Sequence, residues 1–187
     1  MSDEVTVEVR RSGRSFEAAA RLDLAADAQT VWDTITDYSA MCRFLPGIRA
    51  CRVLERHALP GGAERLVVEQ CGEFRFLLFA QSIQVMLDID HQPLHVADAK
   101  ATSFDLGLFK RRAIDVFEGR YELTPQKSRR GAPRMQLRYT SLIALHLPPP
   151  PAIGSIAIRQ NLVAQLQAVA QEVARRGDRT PAPRARR

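Results

Sequence analysis

From Ile48 to Leu147 the sequence keeps a period of two with no helical interval, then meets four prolines, Pro148–Pro151, before a final stretch of helical period. A chain built that way has few choices. Segments 48–59, 63–71, 74–90, 95–104, 113–124 and 134–147 read as consecutive strands, with reversals at Pro60-Gly61-Gly62 and after Gly72. Within 74–90, Leu77, Phe79, Ile83, Val85, Leu87 and Ile89 share one face, interrupted by Gln81. Ala80, Ser82, Gln84 and Asp88 share the other face, the alternation of an antiparallel sheet with one wet side. Strands in meander order, without helices between them, predict a six- or seven-stranded antiparallel sheet and exclude Rossmann and TIM arrangements. The prolines cannot continue a ladder and mark the departure from the sheet. Residues 152–176 then carry Ile158, Leu162, Leu166, Val169 and Val173 on one stripe, with Arg159, Gln160, Gln167 and Arg175 elsewhere. This predicts an amphipathic helix long enough to span the sheet.

Ahead of the meander, Val5, Val7 and Val9 alternate with Thr6, Glu8 and Arg10, and Phe16, Ala18, Ala20, Leu22 and Leu24 alternate after Ser12-Gly13. These read as two strands or one hairpin. Asp27 is placed as the N-cap of a helix whose Val31, Trp32 and Ile35 face inward, Trp32 serving as a core anchor. A second short helix carries Met41, Phe44 and Leu45 and must stop at Pro46-Gly47. No repeat or second core is visible, so one domain is expected over residues 1–176 with a tail over 177–187.

The formal charge of +6 suggests nucleic acid until it is located. Residues 175–187 hold six Arg and one Asp, a net +5, which leaves the remaining body nearly neutral. The tail, rich in Arg and Pro, cannot bury enough apolar surface to offset the entropy of ordering. It is expected to be disordered, with contact to nucleic acid or an anionic membrane as the alternative. Cys42, Cys51 and Cys71 are odd in number and lack CxxC spacing, against both a disulfide framework and a zinc site, and each reads as a core filler. The first residues lack the apolar stretch of a signal peptide, and no segment has the length of a membrane span, so a cytoplasmic location is expected.

Three motifs and the chain's ending carry a resemblance. VWDTITDYSAMCRFLPGIRACRVLER (31–56), VEQCGEFRFLLF (68–79), FEGRYEL (117–123) and LPPPPAIGSIAIRQNL (147–162) resemble the polyketide cyclase/dehydrase and coenzyme Q-binding group of START-like (SRPBCC) proteins, over roughly residues 14–176. The resemblance implies an α+β helix-grip fold of the START/Bet v 1-like kind. There, a curved antiparallel β-sheet wraps a long C-terminal α-helix, with two short helices after the first strand. The chain departs from the group at FDLGLFKRRAIDV (104–116), which is longer than the usual lead into the next strand, and at Tyr121, where Trp is frequent.

In such a fold a ligand lies between the concave sheet face and the long helix. The resemblance implies lining by Phe79, Val85, Phe117, Tyr121 and Tyr139 from the sheet, Phe44 and Leu45 from the second helix, and Leu162 and Leu166 from the third. The alternative is that they pack as plain core. Glu118 and Arg120, two apart on a strand, share one face and orient a polar head if that face is the inner one; otherwise they form a solvated ion pair. His91 and His95 flank Pro93 in a strand-to-strand turn, and no further His or Cys converges on them, so no metal is expected. GxSxG, HExxH, P-loop and GxGxxG motifs are absent from the sequence, and no cofactor is implied.

The leading expectation is a protein that binds or transports a hydrophobic small molecule such as a lipid, isoprenoid quinone or polyketide-like compound. One alternative is a polyketide cyclase/dehydratase-type enzyme using Glu118, Arg120 or Tyr139 on its substrate. Another is a ribosome- or RNA-interacting protein using the Arg tail and Lys110-Arg111-Arg112.

Overall fold

The computed structural model describes residues 5–76, 79–105, 114–127, 132–146 and 150–178. Eight strands, β1 (Val5–Ser12), β2 (Ser15–Leu24), β3 (Ile48–Ala58), β4 (Glu64–Phe76), β5 (Phe79–Gln92), β6 (Val96–Asp105), β7 (Ile114–Pro125) and β8 (Met135–Leu145), form one antiparallel sheet in the order β1-β2-β8-β7-β6-β5-β4-β3. The hairpin β1–β2 joins the last strand of the meander, with Ala20 opposite Tyr139, and β3 lies at the far edge.

Between β2 and β3 run α1 (Ala28–Thr36), a 3-10 turn (Tyr38–Ala40) and α2 (Met41–Phe44). Asp27 caps α1 by accepting from the Thr30 amide at 2.8 Å, and Val31, Trp32 and Ile35 are buried. The second short helix is thus a 3-10 turn that passes into one α-turn and stops before Pro46. Gly47 follows at φ +83°, a conformation that favours glycine.

Two neighbouring strands, β4 and β5, differ most from their expected limits. The expected break after Gly72 does not occur: β4 continues through it to Phe76, and the reversal falls between Phe76 and Phe79, which pair. Gly72 serves a different purpose. A Cβ there would lie 2.4 Å from the Gly47 carbonyl oxygen, and the same carbonyl accepts from the Glu73 amide at 2.8 Å. The glycine lets the chain leaving α2 lie directly against β4.

The long helix α3 (Pro151–Gly177) packs against β1, β2 and α1. One core joins these elements through Phe16, Leu22, Trp32, Leu137, Leu166 and Val173. A second lies under β3–β6, around Tyr38, Met41, Leu66, Val68 and Ile89. Register shifts at Met86/Leu87 and Ile114/Val116 supply the irregularities that bend a sheet. Of the three cysteines expected as core fillers, Cys51 is buried, Cys71 is half-buried and Cys42 is exposed. No helix among the described residues is long and apolar enough to cross a membrane. Residues 179–187, the body of the basic tail, lie outside the described residues.

Candidate functional site

Because α3 leans toward β1, β2 and α1, a gap remains between it and the middle of the sheet. That gap is a cavity of about 520 Å³, inside the ~300–1,000 Å³ range usual for small-molecule sites. Its floor is the concave face of β4–β8, and its roof is the N-terminal half of α3. Gly154, Ala157, Ile158, Asn161, Leu162 and Gln165 face it at spacings of three and four, the helical rhythm that keeps one face together. Past Gln165 the helix turns wholly to core, through Leu166, Val169, Ala170 and Val173.

Of the residues expected to line the cavity, Leu45, Val85, Phe117, Tyr121, Tyr139 and Leu162 do so. Leu166 does not, because it sits one turn deeper at 1% exposure. Phe44 packs against both core clusters and does not reach the cavity wall. The Phe79 side chain lies outside the described residues.

Glu118 and Arg120 require a correction. On β7, Phe117, Gly119 and Tyr121 point inward, so the period of two sends Glu118 and Arg120 to the opposite face. There Arg120 pairs with Asp98 at 2.6 Å and Glu122 at 2.9 Å, and Lys100 meets Glu118 at 3.2 Å. These belong to a band of alternating charges across the outer sheet that includes Arg65–Asp90.

The polar content of the cavity is small and uncharged among the described residues: Tyr38, Tyr121, Tyr139, Ser141, Gln70, Asn161 and Gln165, with the Cys51 thiol. On β7 and β8, Tyr121 stands opposite Tyr139 and Gly119 opposite Ser141. The two phenol rings lie 4.7 Å apart, and a Cβ at Gly119 would stand 3.2 Å from the Tyr139 hydroxyl, so the glycine leaves room for that ring to lie across the strand. Burial raises the pKa of Tyr121 and Tyr139, which keeps both phenols neutral. The Ser141 hydroxyl, on a residue 8% exposed, stands close enough to the Tyr139 phenol to offset part of that rise, and no described group meets it with full hydrogen-bond geometry. Burial likewise pushes the Cys51 thiol up to about 12, leaving it unreactive.

At the other side of the cavity, Tyr38 is held by His91, whose ring is 4% exposed and makes an edge contact with Trp32 at 5.3 Å. Burial lowers the His91 pKa, and a neutral ring here accepts from Tyr38. No group of His, Cys, Asp and Glu among the described residues could hold a metal ion. Sequence reasoning missed Tyr38, Ser141, Asn161 and Gln165. Ser141 shares strand parity with Tyr139 and could have been found from it; Asn161 and Gln165 stand at helical spacing from Ile158 and Leu162.

A model of the family described as polyketide cyclase/dehydrase and lipid transport matches residues 24–169. No curated protein matches the sequence significantly. Solved structures with the same fold include a START superfamily protein from Mycobacterium smegmatis, 16% identical, covering 85% of this chain and 97% of the other at a TM-score of 0.66. The Zhui aromatase/cyclase from a Streptomyces species is 18% identical and covers 87% and 95% at 0.64. A STAR-related lipid transfer protein from Xanthomonas axonopodis is 13% identical and covers 93% and 96% at 0.64.

Proposed function

Starting from the chain's membership of the polyketide cyclase/dehydrase and lipid transport family, we propose that it binds, and as a carrier transports, a hydrophobic small molecule between sheet and α3. The observation behind this reading is the 520 Å³ cavity itself, walled by apolar side chains from nine elements and left unfilled by the described side chains. A core under selection for stability alone closes such space, because interiors pack to crystal-like density and each missing contact costs stability. Lipids, isoprenoid quinones and polyketide-like aromatics all suit an apolar container of this size.

Native mass spectrometry of the purified protein, followed by extraction into organic solvent, tests the reading. A bound species lost on extraction supports it. A protein that carries none and binds no apolar fluorophore overturns it.

An enzymatic reading retains one of its three expected polar residues, since Glu118 and Arg120 face away from the cavity. Tyr139 remains, neutral and lining the site, as a group able to donate a proton to a carbonyl oxygen. Unchanged turnover of a poly-ketone substrate by Tyr139→Phe would remove it. The RNA-binding reading rests on Lys110-Arg111-Arg112 and the Arg tail, of which only 175–178 lie among the described residues, with Arg175 and Arg176 bonded to Glu172.

A further inference from the structure

Ser141 is the one described side chain whose buried polar atom has no hydrogen-bond partner. It lies on the cavity floor, beside two phenols that are themselves neutral. We infer that Ser141 is the hydrogen-bonding subsite for an uncharged ligand bearing a carbonyl oxygen, and that the cavity rejects ligands with an ionised head. This rests on the carrier reading of the same site.

A buried hydroxyl without a partner costs roughly 1–3 kcal/mol, and here only the Tyr139 phenol stands near, without full hydrogen-bond geometry. A ligand oxygen placed there relieves it. A carbonyl fits best, because Ser141 and the neutral phenols of Tyr121 and Tyr139 all bring an O–H, so an acceptor finds donors already in place. Gly119, opposite Ser141 in the ladder, adds no side chain and leaves the approach open from the neighbouring strand.

Among the described lining residues there is no Arg, Lys, His, Asp or Glu. An ionised carboxylate or phosphate entering this space would lose its hydration with no opposite charge to replace it, which is strongly unfavourable. Arg120, Lys100 and Arg65 stand on the sheet's other face. The described lining therefore favours neutral amphiphiles over fatty-acid anions or phosphorylated lipids.

Three probes of nearly equal shape test this on the full chain: methyl naphthyl ketone, ethylnaphthalene and naphthoate, followed by naphthalene fluorescence and calorimetry. The ketone is expected to bind about tenfold tighter than the hydrocarbon, the factor that one hydrogen bond supplies, and naphthoate weakest of the three. Ser141→Ala is expected to abolish the preference of ketone over hydrocarbon while leaving hydrocarbon affinity intact. Because that substitution removes an unpaired polar group, it is also expected to leave the melting temperature of the unliganded protein unchanged or raised. Equal affinity for ketone and hydrocarbon, a preference that survives Ser141→Ala, or tight naphthoate binding overturns the inference while the carrier reading stands. Failure of all three probes to bind overturns both.

Discussion

The Tyr38 hydroxyl stands 2.7 Å from His91 Nε2, and the two rings stack with centroids 5.8 Å apart. Tyr38 opens on the cavity and His91 is sealed behind it, so a buried imidazole fixes the position of a phenol in the ligand site. Burial raises the pKa of Tyr38 and lowers that of His91. The pair is therefore neutral; a Glu64 oxygen 3.9 Å from Nδ1 favours the tautomer that carries its proton there, which leaves Nε2 to accept from Tyr38.

That pair makes stability sensitive to mild acid. The folded pKa of His91 lies below the unfolded 6.5, burial being the main cause and Arg56 a lesser one, against opposing effects of Glu64 and Asp90. Its contribution is whole above pH 6.5 and is lost as the pH falls from there toward the folded value, because the unfolded chain takes up the proton first. Wild type is expected to lose melting temperature over that interval more steeply than His91→Gln. Parallel curves for the two proteins would contradict this.

A second contact ties the end of α3 to the end of α1. Arg176 bonds Asp37 Oδ2 at 2.9 Å, the Asp33 carbonyl at 3.1 Å and Glu172 at 2.7 Å, and Glu172 is itself buried. Hydrogen bonds from Arg175 come first, then those from Arg176, in drawing the Glu172 pKa down to about 2. Arg176→Met is expected to cost about 1–3 kcal/mol in denaturant unfolding. The Glu172 contribution is present above pH 4.5 and disappears as the pH falls toward 2. Removal of residues 179–187 is expected to shift stability by less than about 0.5 kcal/mol. A larger loss on that truncation would place the tail within the folded domain.

Gly72→Ala sets a methyl against the Gly47 carbonyl at 2.4 Å, a backbone atom that cannot swing aside. The expected cost is at least about 1–3 kcal/mol, read from the unfolding midpoint. Gly61→Ala, whose Cβ would meet open space, provides a control that carries only the strain of its positive φ.

Filling the cavity should separate binding from folding. Ala157→Leu extends a side chain from α3 into the gap and is expected to weaken ethylnaphthalene at least tenfold while the melting temperature holds or rises. On the outer face, Glu118→Gln and Arg120→Gln remove exposed ion pairs. They are expected to alter stability by less than about 1 kcal/mol and to leave probe affinity alone. A tenfold loss of affinity in either would return that strand face to the site.

Much of this architecture is legible in local pattern. The period of two in β2 and β8, the N-cap at Asp27, the break at the prolines and the stripe on α3 each follow from residues near in sequence, so they could be read without knowing what they touch. The reversal between β4 and β5 could not, because the stretch around the paired Phe76 and Phe79 carries no turn signal in its sequence, and long-range pairing overrides local preference.

The candidate site divides along the same line. Sequence periodicity determines that Phe117 and Tyr121 share a face and that Glu118 and Arg120 share the other, because side chains alternate along any strand. Which face is inward depends on where α3 comes to rest, more than thirty residues later in the chain, and only the tertiary structure decides it. The same holds for the cavity, for the pairing of Tyr38 with His91 across 53 positions, and for the lone hydroxyl of Ser141. Volume and unmet hydrogen bonds are properties of what lies opposite a residue. The sequence by itself determined a sheet gripping a helix; the lean of that helix toward β1 and β2 decided that the grip would enclose a space.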